Sequence, residues 1–203
     1  MIVLNNLSIG YSKNTPLLKD FNYQFTNKIY GVLGKSGCGK TTLLRTIAGL
    51  TKPLSGEVLI DDVKVNKPNG NGVYMLHQNY TSFDWMTCID NVLIAKKIQS
   101  TVTKEDVENA VKMLEVVKLG EHKNKYPRQL SGGMRQRLAL ARTLFMKPKI
   151  ILMDEPLSAL DNNTRTDMQD LILKIHKETK NTIIMITHSQ YEADKMCDTI
   201  IKL

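Results

Sequence analysis

The chain has 203 residues, 42% hydrophobic and 24% charged, which is ordinary for a globular domain with a sizeable core. No stretch approaches the run of about 20 apolar residues that a membrane helix requires, and the opening residues lack the basic-then-apolar order of a signal peptide, so a cytosolic protein is expected. The formal charge of +8 comes from scattered lysines without a like-charged block, which predicts a solvated surface and no nucleic-acid partner, and Cys38, Cys88 and Cys197 form no CxxC pair that would make a disulfide framework or a metal site.

In chain order, the opening third reads as short strands joined by turns, with residues 2–4 and 57–60 as candidates and a turn-rich piece at 51–56. Residues 28–33 form a strand that runs straight into a glycine loop. A helix over 41–50 follows, carrying Leu43, Leu44, Ile47 and Ala48 on one face and ending at Gly49. The middle is more helical. Thr103 is the expected cap of a helix with Val107, Val111, Leu114 and Val117 at helical spacing, and Ser131 that of another with Met134, Leu138, Ala141 and Phe145 inward. The last third alternates strand and helix at 149–153, 164–178, 182–186, 190–196 and 199–203. Such alternation predicts a parallel sheet covered by helices. The expected fold is α/β, one domain over 1–203, with a core at about 1–78 and 135–203 and a helical insertion at about 79–134.

The loop Gly34-Lys35-Ser36-Gly37-Cys38-Gly39-Lys40-Thr41 matches GxxxxGK[ST]. Glycines let the backbone wrap so that several N–H groups face a phosphate, and the helix that follows adds its positive end. Lys40 is placed to reach the outer phosphates, and the Thr41 hydroxyl suits Mg²⁺. The strand at 149–153 ends in Asp154 and Glu155, two adjacent carboxylates whose repulsion a metal would relieve. Asp154 is the candidate for the Mg²⁺ shell, and Glu155 for orienting or deprotonating the attacking water. Cys38 inside the loop is expected to fill a tight turn.

These two elements occur in many phosphate-loop proteins. Leu130-Ser131-Gly132-Gly133-Met134, at the start of a helix and followed by Arg135, Gln136 and Arg137, resembles the LSGGQ signature of ABC ATPases. The other marks of that family fall in order: Tyr11, Gln78, the segment Ser158-Ala159-Leu160-Asp161 and His188. The resemblance implies a P-loop NTPase core of mainly parallel sheet, with an N-terminal antiparallel part and a helical insertion. It implies ATP and Mg²⁺ as ligands. Tyr11 would stack on adenine, the loop from Gly34 through Thr42 would hold phosphate, and Gln78 would join the Mg²⁺ shell. His188 would meet the γ-phosphate, and Asp161 would serve the nucleotide from the D-loop.

The resemblance further implies a head-to-tail pair of copies with two ATP molecules between them. Each nucleotide would touch the loop of one copy and Ser131, Gly132 and Gly133 of the other. Met134 replaces the family's glutamine and cannot reproduce its amide hydrogen bonds. Residues 83–92, Phe-Asp-Trp-Met-Thr-Cys-Ile-Asp-Asn-Val, look like a stretch common in importers of nitrate, sulfonates and taurine, with Asp84 in place of a proline. Trp85 could instead merely pack the insertion. The implied function is an ATPase peripheral on the inner face of the cell membrane, driving separate integral permease subunits. Two alternatives are a soluble ABC-type ATPase of DNA repair or translation, and a module that holds ATP without turnover. The end of the chain at a strand is shorter than in many relatives.

Overall fold

The computed structural model describes residues 1–12, 14–68, 72–77 and 82–203. The described chain divides into two compact units, one comprising residues 1–75, 149–155 and 173–203, the other 76–148 and 156–172.

The first unit carries two sheets. β1 (Ile2–Ser12), β2 (Thr15–Phe25), β4 (Ser55–Ile60) and β5 (Val63–Lys64) form an antiparallel sheet in the order β2-β1-β4-β5. β3 (Ile29–Leu33), β6 (Val73–Leu76), β7 (Ile150–Asp154), β8 (Thr182–Ile186) and β9 (Thr199–Lys202) form the second, in the order β6-β7-β8-β3-β9. The β7–β8, β8–β3 and β3–β9 pairings are parallel. Every residue of β3, β7 and β8 is buried, as unbroken apolar runs in a sheet covered on both faces require.

α1 (Lys40–Ile47) follows β3 and buries Leu43, Leu44 and Ile47 in one core with Ile2, Leu4, Ile9, Val32, Leu152 and Ile186. Each such side chain contributes about 1.5–3 kcal/mol by leaving water. Gly49, at φ 73, ends α1: its N–H donates to the Thr46 carbonyl at 3.0 Å and that of Leu50 to Arg45 at 2.8 Å. α6 (Gln190–Met196) lies between β8 and β9, capped by the Ser189 hydroxyl, which accepts the Glu192 N–H at 3.2 Å.

The second unit is helical. α2 (Cys88–Gln99) is capped by Thr87, and α3 (Lys104–Val116) by a reciprocal Thr103–Asp106 box. α4 (Gly132–Phe145) is capped by Ser131, whose hydroxyl oxygen accepts the Met134 N–H at 3.3 Å. The inward stripe of α3 is shifted from the expected one: Ala110, Leu114 and Val117 are buried while Val107 is exposed. α4 departs further, because Leu138 through Ala141 are all buried and the helix has no solvent side there. α5 (Asn162–Thr179) starts in this unit, where Asp161 accepts the Thr164 N–H at 3.0 Å.

Within residues 83–92, Asn91 is fully buried and clamps the preceding turn. Its amide donates to the carbonyls of Phe83, Met86 and Thr87 at 3.0–3.1 Å and accepts the Phe83 N–H at 2.9 Å. The reading of Trp85 as a packing residue is corrected: it is 73% exposed, its ring touching only the edge of Phe83 at 5.4 Å between centroids among the ring contacts.

Candidate active site

The phosphate loop is built where β3 ends. Gly37 and Gly39 take φ of 80 and 104, which let the backbone double back before α1. A Cβ on Gly34 would sit 2.7 Å from the Leu203 carbonyl and 2.8 Å from the Cys38 sulfur, so only glycine fits there. No side chain caps α1, and its first N–H groups remain open toward the loop. Lys40 is 6% exposed, and its ammonium donates to the carbonyls of Gly34 and Lys35, each at 2.8 Å, with the Cys38 sulfur at 4.0 Å. A buried cation held by two neutral carbonyls is poised to exchange them for a phosphate oxygen, since charge-assisted bonds are the stronger. Lys35, Ser36 and Gly37 are exposed along the rim, and Thr42 is half-buried on α1.

Two further pairs come together in the same unit. The Thr41 hydroxyl donates to the Asp154 carboxylate at 3.2 Å. This is a pair of hard oxygen donors at the end of a buried strand. Among the described residues no cluster of three His, Cys, Asp or Glu side chains could hold a metal. The hydroxyl and single carboxylate that are present fit Mg²⁺, which takes one or two carboxylates and leaves its other positions to phosphate and water.

The second pair is Glu155 and His188, with the ring nitrogen Nε2 2.7 Å from Oε1. Glu155 stands in the left-handed region at φ 51, and its N–H donates to the Ile186 carbonyl at 3.2 Å. Holding a non-glycine residue there costs roughly 1–2 kcal/mol, which the backbone bond and the His188 contact offset. His188 itself is set by Thr187, whose hydroxyl donates to Glu192 at 2.6 Å.

Tyr11 is 90% exposed at the end of β1, an open ring face that suits stacking. Gln78 lies outside the described residues. Ser131 and Gly132 are exposed at the tip of α4, and a Cβ on Gly132 would meet nothing within 4 Å. The Met134 contact to Ser131 is made by the backbone, so the glutamine-to-methionine departure leaves the cap intact. The D-loop carboxylate of Asp161 is held below the usual range, first by the Thr164 N–H. The three thiols differ. Burial pushes Cys88 up to about 11 and Cys197 up to about 12, and Cys38 is half-buried in the loop.

A family model described as "ABC transporter" matches residues 18–158. The chain belongs to the ABC transporter family. It is one of that family's ATP-hydrolysing cassettes, with the P-loop NTPase fold. It is 47% identical over 168 residues to an uncharacterized ABC transporter ATP-binding protein, YtlC, of Bacillus subtilis, covering 83% of this chain and 64% of that one. It is 42% identical over 195 residues to the taurine import ATP-binding protein TauB of Roseobacter denitrificans, covering 94% of this chain and 72% of that one. The chain thus spans about two thirds of the length of these relatives. Among solved structures, a dimeric ATP-binding cassette in a post-hydrolysis state bound to ADP and Pi matches with a TM-score of 0.89 and 30% identity, over 100% of this chain and 94% of that one.

Sequence reasoning missed three features of this cassette. The left-handed backbone of Glu155 carries no signal, since glutamate is unusual there. Nothing in the sequence marks the side chain of Gln136 as buried. Nor does it mark Arg137 as a partner of the Val117 and Lys118 carbonyls, to which its guanidinium donates at 3.0 and 3.2 Å.

Proposed function

We propose that this cassette works as a pair of identical copies on the cytoplasmic face of the membrane, where ATP binding closes the pair and hydrolysis reopens it to drive separate permease subunits. The observation that carries the reading is the grouping in one unit of Lys40, the Thr41–Asp154 pair and the Glu155–His188 pair. The exposed Ser131 tip on the other unit is the part a second copy would use. The core at about 1–78 and 135–203 and the helical insertion at about 79–134 are proposed as parts of this one cassette.

The phosphates enter the loop from Gly34 to Thr42, Lys40 turns its donors from the two carbonyls to phosphate oxygen, and Tyr11 stacks on the base. Thr41 and Asp154, with Gln78, would hold Mg²⁺, which when bound neutralises charge on the phosphates. Glu155 takes a proton from the attacking water. The ring N–H of His188 cannot serve Glu155 and a phosphate at once. When His188 turns to the γ-phosphate, Oε1 of Glu155 is released to accept from water. Ser131, whose oxygen already accepts a backbone N–H, keeps its own proton to donate to a phosphate of the opposite copy, with Gly132, Gly133 and Asp161 beside it.

We extend the proposal to an importer of the taurine, sulfonate or nitrate class. The stretch at 83–92 and the taurine-named relative support this. The exposed Trp85, held on a clamped turn, suits a partner-facing surface. Among the described residues no helix is long and apolar enough to cross a membrane, consistent with permease subunits as separate chains. The test is affinity purification of the tagged chain from membranes of its host. A polytopic membrane subunit in the eluate is the expected result, and ribosomes or DNA in its place would overturn the transport reading.

A further inference from the structure

The second unit contains a polar contact that the nucleotide reading does not use. Gln136 lies on the second turn of α4 and is 1% exposed, and its side-chain amide donates to the carbonyl of Pro156. Pro156 directly follows Glu155 in the chain. On the same helix, a Cβ at Gly133 would sit 3.4 Å from Leu160, so the tip of α4 lies flush against the segment that runs from Pro156 to Asp161. Arg137 anchors the same turn to the end of α3 through the Val117 and Lys118 carbonyls. Lys118, at φ 58, is paired with Asp167 on α5. The helix tip that carries Ser131 and the backbone that leaves Glu155 therefore share one buried hydrogen bond, braced on both sides.

We propose that Gln136 is a positioning residue for Glu155: by holding the Pro156 carbonyl, it ties the place of the water-activating carboxylate to that of the Ser131 helix tip. The physical basis is the cost of leaving a buried carbonyl unpaired. Remove the amide donor and the Pro156 peptide turns to seek another partner. Because the ring fixes φ of Pro156, a displaced carbonyl drags the whole residue and so shifts the peptide that joins it to Glu155, whose backbone is already in a sparsely populated conformation. Nucleotide affinity depends on the loop around Lys40, whose ammonium is held by the Gly34 and Lys35 carbonyls. The defect should therefore appear in turnover and spare binding.

The inference rests on Glu155 acting on the attacking water, and the two assignments separate in one set of steady-state assays on the full chain with Mg-ATP. Gln136→Met keeps length and apolar bulk and removes the donor. Its kcat is expected to fall about tenfold, with KM for ATP changed by less than about twofold. Gln136→Glu supplies a titrating donor. Burial beside a carbonyl raises the pKa of that carboxyl, so its O–H form, able to donate to Pro156, grows as pH falls. The ratio of its kcat to the wild-type kcat is expected to climb between about pH 8 and about pH 6. A flat ratio overturns the proposal, and decides the matter even where Gln136→Met fails to fold. Wild-type kcat in Gln136→Met also overturns it, as does a loss confined to KM. Glu155→Gln serves as the reference. If that variant turns over normally, the Glu155 assignment fails first; if it is inactive and Gln136→Met is not, only the present inference fails.

Discussion

Two helix starts, one in each unit, are offered to the same kind of ligand and are built in opposite ways. α1 begins after Gly39 with no side-chain cap, and its loop is occupied by the ammonium of its own Lys40. α4 begins after Ser131 with a cap supplied by that serine, exposed and without a charged residue in the cap contact. The first is an incomplete structure that a phosphate completes: open N–H groups and a buried cation on weak partners. The second has one of its N–H groups, that of Met134, satisfied by its own serine, and a phosphate would add the serine's proton, the two glycine N–H groups and the field of the helix end, the last worth about 0.3–1 kcal/mol at an exposed site. One grips alone; the other contributes only when an anion is carried to it. This asymmetry accounts for why a single chain would bind ATP and yet need a second copy to use it.

The largest effect that sharpens the comparison is Glu155→Gln. It removes a proton acceptor and leaves both helix starts intact, so turnover should fall by about 10²- to 10⁴-fold with ATP still held. The helix tips would then stay engaged on trapped nucleotide, and size-exclusion chromatography with Mg-ATP should show a dimer. A variant that stays monomeric at saturating ATP would show that the α4 tip does not receive the phosphate.

Next in size is Lys40→Ala, which empties the first helix start of its cation. Losing charged hydrogen bonds to phosphate should weaken ATP binding roughly a hundredfold by equilibrium titration. Unchanged affinity would mean that the loop amides suffice and that the two starts are more alike than their contacts suggest. Ser131→Arg is the third. The new side chain obstructs the α4 tip, so ATP affinity of the monomer should hold while turnover drops by at least about tenfold, to the level of isolated copies. Wild-type turnover from that variant, monomeric on a sizing column, would dispose of the paired arrangement.

Both helix starts were legible in the sequence, because each depends on residue types with few other uses: glycines at positive φ before a lysine, and a serine followed by two glycines. The strands β7 and β8 were legible as unbroken apolar runs, and β8 and α6 were placed to the residue. β2 was not. It is an edge strand whose first half contains Pro16, Lys19 and Asp20 and whose pairing with β1 is broken by several register shifts, so the alternation of Phe21, Tyr23 and Phe25 inward covers only its last five residues. The inward face of α3 was right at Leu114 and Val117 and missed at its start, where the packing selects Ala110, a residue too small to stand out, over the exposed Val107. At the site, sequence named the groups that would touch the nucleotide but not those that position them. The bonds from Gln136 to Pro156 and from Thr187 to Glu192 join polar residues whose partners are fixed by the fold, and nothing in their spacing marks them.

The smallest effects isolate what a cap does from what a phosphate-facing tip does. Thr103 caps α3 as Ser131 caps α4: the Thr103 hydroxyl accepts the Asp106 N–H at 3.2 Å, and the Asp106 carboxylate accepts the Thr103 N–H at 2.9 Å. Thr103→Ala and Ser131→Ala each remove one such hydroxyl and should each cost about 1 kcal/mol of stability. In a chain of this size that is about 2–4 °C in Tm, measurable by calorimetry. If the α4 tip is only a capped helix, the two variants will match in every assay. If its hydroxyl proton also reaches a phosphate, Ser131→Ala will lose a further few-fold in kcat at saturating ATP, while Thr103→Ala, with the same stability loss, will keep wild-type turnover. Equal kcat in the two variants would reduce Ser131 to a structural cap and leave the two glycines behind it as the only recognition the second unit offers.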